Sequence, residues 1–335
     1  MSQYKLNPHY ASDDVKKEPT RAGFGRGLWE AGDSDKRIVA LCADLTESTQ
    51  MHHFRDAFPD RFVEIGVAEQ NLVTVASGMA RVGKIPFAAS YAAFSPGRNW
   101  EQIRTTICLN EMPVKIVGAH AGVSVGPDGA THQVLEDIAL MRVLPHMTVV
   151  YPGDAIEAEK ATLAIAKTND PSYIRLARDK SAIFSTEGSP FEIGKAYVLR
   201  EGDDLTIFGT GPLTHQALML SRMLEEEGIS AEVVHVPTIK PLDEATVLAS
   251  VDKTGRAVSI EEAQAAAGFG GLLAEVFSEK LPVPLLRVGM EDRFGESGSP
   301  DELLKHFGLT AETMLPRVKK FIDTVPQYKK GYQWG

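Results

Sequence analysis

The stretch DRFVEIGVAEQN, residues 60–71, carries a short β-patterned run through Phe62, Val63 and Ile65 into Gly66. It passes at once into AEQNLVTVASGMARVG, residues 68–83, whose apolar spacing predicts a helix closed by Gly83. A strand feeding directly into a helix is one βα unit, and the unit repeats on both sides of it. RIVALCADL (37–45) reads as a buried strand and KIPFAASY (84–91) as another; NWEQIRTTICLNE (99–111) reads as helical. PVKIVGAH (113–120), MTVVYPG (147–153) and SYIRLA (172–177) are short β-branched or aromatic runs. Such alternation predicts an α/β fold with a mostly parallel sheet.

The pattern loosens into Ser, Gly and Pro over KSAIFSTEGSPFEIG, residues 180–194, as a linker does, and then resumes. DLTIFGTG (204–211), a helix at LTHQALMLSRMLEEEG (213–228), SAEVVHVPTIKPLD (230–243), AVSIEE (257–262), a helix at GGLLAEVFSEKL (270–281) and PLLRVGM (284–290) make a second, smaller α/β domain. The expected division is an extension at 1–17, a first domain at 18–185, a linker at 186–193, a second domain at 194–323 and a tail at 324–335. Each domain is expected to be a mostly parallel sheet flanked by helices. The polar tail QYKKGYQWG reads as loosely held or docked on a partner.

Composition narrows the function. The chain has 335 residues, 43% hydrophobic and 24% charged, with a net charge of −10. Its cations form no long run, which argues against nucleic acid or an anionic membrane as partner and favours metabolites. Only Cys42 and Cys108 occur, so a disulfide framework is not expected and a reducing compartment fits. The opening residues lack the apolar core of a signal peptide, and no stretch approaches the ~20 apolar residues of a membrane span. The cytoplasm is the expected compartment.

In open parallel sheets ligands bind beyond the carboxyl ends of the strands, so the loops there are where chemistry belongs. Those loops carry Ser48, Glu69, Phe94, Arg98, His120, Asp128, His132 and Arg178. Singly, each has a plain structural role: Glu69 suits a first-turn carboxylate facing the helix dipole, Phe94 a core ring, Asp128-Gly129 a turn, and Arg21 and Arg178 surface charges. Together they suit a phosphorylated polyol. Arg21, Arg178 and His120 supply charge-assisted donors, Ser48 adds a hydroxyl, Asp128 and His132 can bond hydroxyls, and Phe94 offers a flat apolar face. No GxxxxGK[ST] or GxGxxG lies on these loops, and no CxxC or HExxH occurs. The adjacent His52 and His53 are expected to point to different faces, so no metal site is expected. AGFGGLLAEV, residues 267–276, reads as a tight turn before a helix rather than an anion site.

The motifs EIGVAEQN, AAFSPGRNWEQIR, GAHAGVSVGPDGATHQVLED and YIRLARDK, in this order and spacing, resemble the pyrimidine-binding half of a transketolase followed by its C-terminal domain. The resemblance runs from about Arg21 to about Ile322. DGATHQ is its most specific part, with Ala130 where the family usually has Pro. The family's other domain holds a diphosphate and Mg²⁺ through a GDG motif, and no GDG occurs in this sequence. The resemblance is therefore to the C-terminal subunit of a split transketolase, inactive alone, with thiamine diphosphate shared with an N-terminal subunit that holds the Mg²⁺. Two copies of each chain are implied.

Motif position then implies roles. Glu69 bonds the cofactor's pyrimidine N1′, Phe94 stacks on that ring with Tyr91 nearby, and Asp44 and Leu45 of the "ADL" stretch line the cofactor. His132, the second catalytic residue implied, contacts the donor's terminal hydroxyl; Asp128 meets the acceptor's hydroxyl; Arg21, Ser48, His120 and Arg178 take the sugar phosphate. The sequence departs from many members at Gly97, where they carry an aromatic, and Arg98 beside it is open to cofactor, substrate or interface. The implied reaction moves a two-carbon ketol unit from a ketose phosphate such as xylulose 5-phosphate to an aldose phosphate such as ribose 5-phosphate. Alternatives are a deoxyxylulose-phosphate synthase-like activity, a 2-oxoacid dehydrogenase beta-like subunit, and a regulatory subunit that kept the fold.

Overall fold

Ile38–Cys42 is buried at every residue, as a strand covered by helices on both faces must be. It lies near one edge of a seven-stranded sheet in a computed structural model that describes residues 4–328. In chain order the first half contains β1 (Lys17–Pro19), α1 (Thr20–Ser34), β2 (Ile38–Cys42), α2 (His52–Ala57), β3 (Phe62–Glu64), α3 (Glu69–Arg81) and β4 (Ile85–Tyr91). There follow α4 (Trp100–Gln102), β5 (Lys115–Ala119), α5 (Asp137–Arg142), β6 (Thr148–Val150), α6 (Ala155–Ala166), β7 (Ser172–Arg175) and β8 (Lys180–Ala182). The second half contains β9 (Tyr197–Arg200), β10 (Leu205–Gly209), α7 (Leu213–Glu226), β11 (Ala231–His235), β12 (Thr238–Lys240) and α8 (Glu244–Thr254). It ends with β13 (Ala257–Gln264), α9 (Phe269–Lys280), β14 (Leu285–Met290), α10 (Pro300–His306) and α11 (Ala311–Thr324).

The first sheet runs β12-β6-β7-β5-β4-β2-β3 and the second β14-β13-β10-β11-β9. Within these two sheets all pairs are parallel except β12 on β6 and β9 on β11, and β1 and β8 form a separate antiparallel pair, so the expected α/β architecture with mostly parallel sheets is present. The strand β12 comes from the stretch read with the second domain yet completes the edge of the first sheet. One apolar cluster joins the halves, with Tyr151 and Tyr173 packed in the same core as Phe208, Val234 and Phe269.

Local differences from the sequence reading have physical causes. The helix α1 was hidden by glycines, which let it approach α6 closely: a Cβ on Gly23 would sit 1.8 Å from the carbonyl oxygen of Ala155. The expected regular helix at 99–111 opens after α4 into a π-helical stretch, Ile103–Cys108. There the Thr105 and Thr106 hydroxyls donate back to the carbonyls of Glu101 and Gln102, at 2.9 and 2.6 Å. The Ser/Gly/Pro-rich stretch after β8 is pinned: Asp154 accepts from the amides of Phe184 and Ser185, and the Lys160 amine donates to three carbonyls. The His52 and His53 rings lie 4.0 Å apart at the start of α2 rather than on different faces. Of the tail, Gln327 Nε2 donates to Asp204 O at 2.9 Å and the Tyr328 amide to Gly255 O; residues 329–335 fall outside those described.

At the centre of the molecule Arg175 and Asp137 are both fully buried and joined at 2.8 Å. Asp137 also accepts from the Tyr173 hydroxyl at 2.6 Å, and Arg175 donates to the carbonyl of Glu262 in β13 at 3.0 Å. Burial opposes the charge on Arg175, but Asp137, Tyr151 and Tyr173 together hold the guanidinium pKa above its usual value. Asp137→Ala leaves that cation without its carboxylate. Urea unfolding is expected to show a loss of about 3–5 kcal/mol.

Candidate active site

The parallel strands β7, β5, β4, β2 and β3 are adjacent in the sheet, so the loops at their carboxyl ends share one rim. Glu69 opens α3 there, with its side chain 2% exposed. Its Oε2 accepts from Arg98 Nη1 at 2.6 Å, and its backbone carbonyl accepts from Asn99 Nδ2 at 2.8 Å. The Arg98 guanidinium also lies 5.0 Å from the centre of the Phe94 ring. Sequence reasoning left Arg98 unassigned and did not single out Asn99.

An aromatic group continues from Phe94. Tyr91 is nearly parallel to it at 6.2 Å and stacks on His120 at 3.9 Å, while His132 stands edge-on to Phe94 at 5.3 Å. Glu69, Tyr91, Phe94, His120 and His132 are thus brought together through Arg98. Arg178 follows β7, lies 3.4 Å from the Asp128 carboxylate and donates to the carbonyl of Val125 at 2.5 Å. Arg21 reaches over from α1 and donates to the carbonyl of Ser48 at 2.6 Å, so Ser48 meets it through its backbone. Burial, and then repulsion by Arg178, lower the Arg21 pKa, so the two guanidiniums sit in each other's field. The Nε of Arg21 is buried without a hydrogen-bond partner, which suits an incoming anion.

Asp44 and Leu45 stand on the neighbouring loop. Asp44 has φ +56° and its amide donates to Glu64 Oε1 at 2.7 Å, which also accepts from Gly66 N at 2.9 Å. Glu64 therefore ties the Asp44 loop to the turn that aims Glu69, a role with no signal in its alternating strand. Leu45 packs against the core of the first half.

The loop VSVGPDGATHQ is shaped by backbone that side chains resist. Gly126 and Gly129 have φ of +84° and +74°, and on the loop they shape Asp128 faces Arg178 and His132 stands against Phe94. Two residues that sequence reasoning missed hold it. Gln133 Nε2 donates to the carbonyls of Val123, Gly126 and Glu296, and Glu262 of β13 accepts from Ser124 N at 2.5 Å. The signal for Gln133 lay inside the motif itself; Glu262 is remote in sequence and no local pattern exposes it. Next to it in β13, Glu261 accepts from the amides of Phe269 and Gly270, so the glycine-rich start of α9 is closed by the chain's own carboxylate.

His120 departs from its expected chemistry. It is buried, with Nδ1 unpartnered, and burial followed by Arg21, Arg178 and His132 pushes its pKa down to about 3. It is a neutral imidazole at physiological pH, not a charge-assisted donor. The unfolded chain takes up a proton near pH 6.5 that the folded ring refuses down to about pH 3. Its contribution to stability is full above 6.5 and is lost as pH falls across that window. His120→Asn, which suits the local φ of +57°, is expected to remove roughly 1–2 kcal/mol of the loss between pH 7 and 5 in urea titrations.

Among the described residues no group of three or more His, Cys, Asp or Glu side chains is placed to hold a metal ion, and no helix is long and apolar enough to cross a membrane.

The chain matches the transketolase pyrimidine-binding domain over residues 16–182 and the transketolase C-terminal domain over residues 194–314. It is 44% identical to a protein of Methanocaldococcus jannaschii named, provisionally, a transketolase C-terminal section, over 89% of this chain and 94% of that one. It is 42% identical to a 6-deoxy-6-sulfo-D-fructose transketolase subunit of Clostridium sp. (strain MSTE9), over 86% of this chain and 89% of that one. A solved structure described as a split gene transketolase, an inactive beta4 tetramer, superposes with a TM-score of 0.86 at 43% identity, covering 92% of this chain and 99% of its own. This chain belongs to the transketolase family and carries its pyrimidine-binding and C-terminal domains.

Proposed function

We propose that this chain is the C-terminal subunit of a two-chain transketolase, moving a two-carbon ketol unit from a ketose phosphate to an aldose phosphate with thiamine diphosphate. The observation that carries the reading is the buried Glu69 carboxylate, set beside a planar aromatic group on the rim where Arg21 and Arg178 converge.

The residues fit the pyrimidine end of that cofactor. A carboxylate 2% exposed needs a partner with N–H groups, Phe94 offers a half-buried flat face, and a planar cation already engages both. Bound thiamine diphosphate supplies a nucleophilic carbon that attacks a ketose carbonyl. Glu69 holds a proton at the pyrimidine ring nitrogen and so sets which tautomer is present. Phe94 and Tyr91 orient the ring. His132 and the neutral His120 bond the donor's hydroxyls and carbonyl side, Asp128 the acceptor's hydroxyl, and Arg21 and Arg178 the terminal anion, with Ser48 shaping the wall through its carbonyl. Asp44 and Leu45 line the edge of the cofactor. In this reading Mg²⁺ and the diphosphate are gripped by an N-terminal subunit, with two copies of each chain.

The sulfofructose relative bears on the donor. A sulfonate presents tetrahedral anionic oxygens to Arg21 and Arg178 much as a phosphate does, so 6-deoxy-6-sulfofructose is the rival to xylulose 5-phosphate.

Mixing the chain with the adjacent-gene product, thiamine diphosphate and Mg²⁺ and assaying ketol transfer to ribose 5-phosphate tests the reading. Activity is expected only with both proteins and with one of the two donors; turnover by the lone chain, or consumption of pyruvate instead, would contradict it. Glu69→Ala is expected to lower kcat by ~10²–10⁴-fold. Arg178→Ala is expected to raise KM for the anionic donor by about 10- to 100-fold while kcat changes little, since it removes charged hydrogen bonds remote from the reacting carbon.

A further inference from the structure

Arg98 joins two features that the reading above assigns to the cofactor. Its Nη1 donates to Glu69 Oε2 at 2.6 Å, and its flat guanidinium lies 5.0 Å from the centre of the Phe94 ring. A guanidinium is planar, donates N–H groups to carboxylates and stacks on aromatic faces, and a protonated aminopyrimidine does the same three things. A pyrimidine placed on this carboxylate oxygen and this ring face would take the position the guanidinium now fills.

The exposures of the two partners differ in a way that suits replacement. Glu69 is 2% exposed and Arg98 is 51% exposed, so the anion is fixed inside and the cation reaches it from the open side. Leaving Glu69 buried and unpaired is costly, whereas Arg98 can return its charge to water. The start of α3 does not depend on Arg98 for its position. Asn99 donates to the backbone carbonyl of Glu69 at 2.8 Å and to Ser95 Oγ at 3.1 Å, so the backbone that bears the carboxylate is held without Arg98.

We propose that Arg98 is a placeholder for the pyrimidine. In the chain without cofactor its guanidinium keeps Glu69 paired and covers Phe94, and it must swing outward for the cofactor to load. The proposal rests on the functional reading above and deepens it. The apparent Kd for the cofactor is then the intrinsic Kd divided by the fraction of chains in which Arg98 is out. If that fraction is about one tenth, removing the side chain tightens binding about tenfold.

The test is calorimetric titration of thiamine diphosphate with Mg²⁺ into the two-chain complex carrying wild-type Arg98, Arg98→Ala, Arg98→Met or Arg98→Lys. The Met variant keeps apolar bulk against Phe94 and guards against a packing defect in the Ala variant. Thermal unfolding of the lone chain gives a second readout. The Kd is expected to fall about tenfold in the Ala and Met variants and less in the Lys variant, while the unfolding midpoint of the lone chain drops in Ala and Met because Glu69 has lost its partner. An unchanged or raised Kd in both Ala and Met overturns the placeholder, and means that Arg98 serves the bound cofactor or a subunit contact. If the wild-type complex takes up no thiamine diphosphate at all, the functional reading fails and the placeholder with it. Uptake by wild type without tightening in the variants removes the placeholder alone.

Discussion

A guanidinium sealed from water has to be answered by a carboxylate, and in this chain the answer organises the molecule. Arg175 closes β7, Asp137 opens α5 immediately after the VSVGPDGATHQ loop, and the two meet at 2.8 Å with neither side chain exposed. The same guanidinium bonds the carbonyl of Glu262 and lies 4.5 Å from the centre of the Tyr151 ring. Such a pair contributes little net stability over an apolar replacement, but removing one member is expensive. Its geometric consequence matters more. It fixes the end of that loop to the first sheet and to the second domain at once, and the adjacent Glu262 carboxylate then holds Ser124 inside the loop. The second domain, which carries none of the candidate catalytic side chains, thereby sets the shape of the loop that carries Asp128 and His132.

A different constraint governs the rim. Glu69 is nearly as buried as Asp137, yet it stands beside a half-exposed arginine on an open face. A carboxylate in that setting is paired but not locked. Opposite it the cations of Arg21 and Arg178 are only partly answered, by Asp128 at 3.4 Å from Arg178 and by backbone carbonyls. One end of the rim thus holds an anion and the other two cations. The Tyr91, Phe94, His120 and His132 rings fill the space between with a wall whose histidine at position 120 stays neutral.

Much of this arrangement was legible before any coordinates, because it depends on local pattern. The buried runs around Ile38, Ile85, Lys115 and Ser172 read as parallel strands, and the loops after them could be grouped on one rim by the topology of such sheets alone. What escaped depends on contacts between distant residues. The glycines of α1 look like loop until α6 is packed against them. The strand β12 follows β11 in sequence but pairs with β6 across the domain boundary. The neutrality of His120 comes from burial plus cations delivered by α1 and by the loop after β7, and the grip of Glu262 on Ser124 comes from the far domain. The pairing of Glu69 with Arg98 was also out of reach, since it depends on how the Phe94 loop folds back over α3.

The central claim is that Glu69 governs the proton inventory of a cofactor held jointly with another chain. Hydrogen–deuterium exchange at the thiazolium C2 of thiamine diphosphate, followed by NMR in the two-chain complex, reports on that directly. The account predicts exchange much faster than in free cofactor, and a return toward the free rate in a Glu69→Ala complex that still binds the cofactor. Exchange in the variant as fast as in the wild type would contradict it.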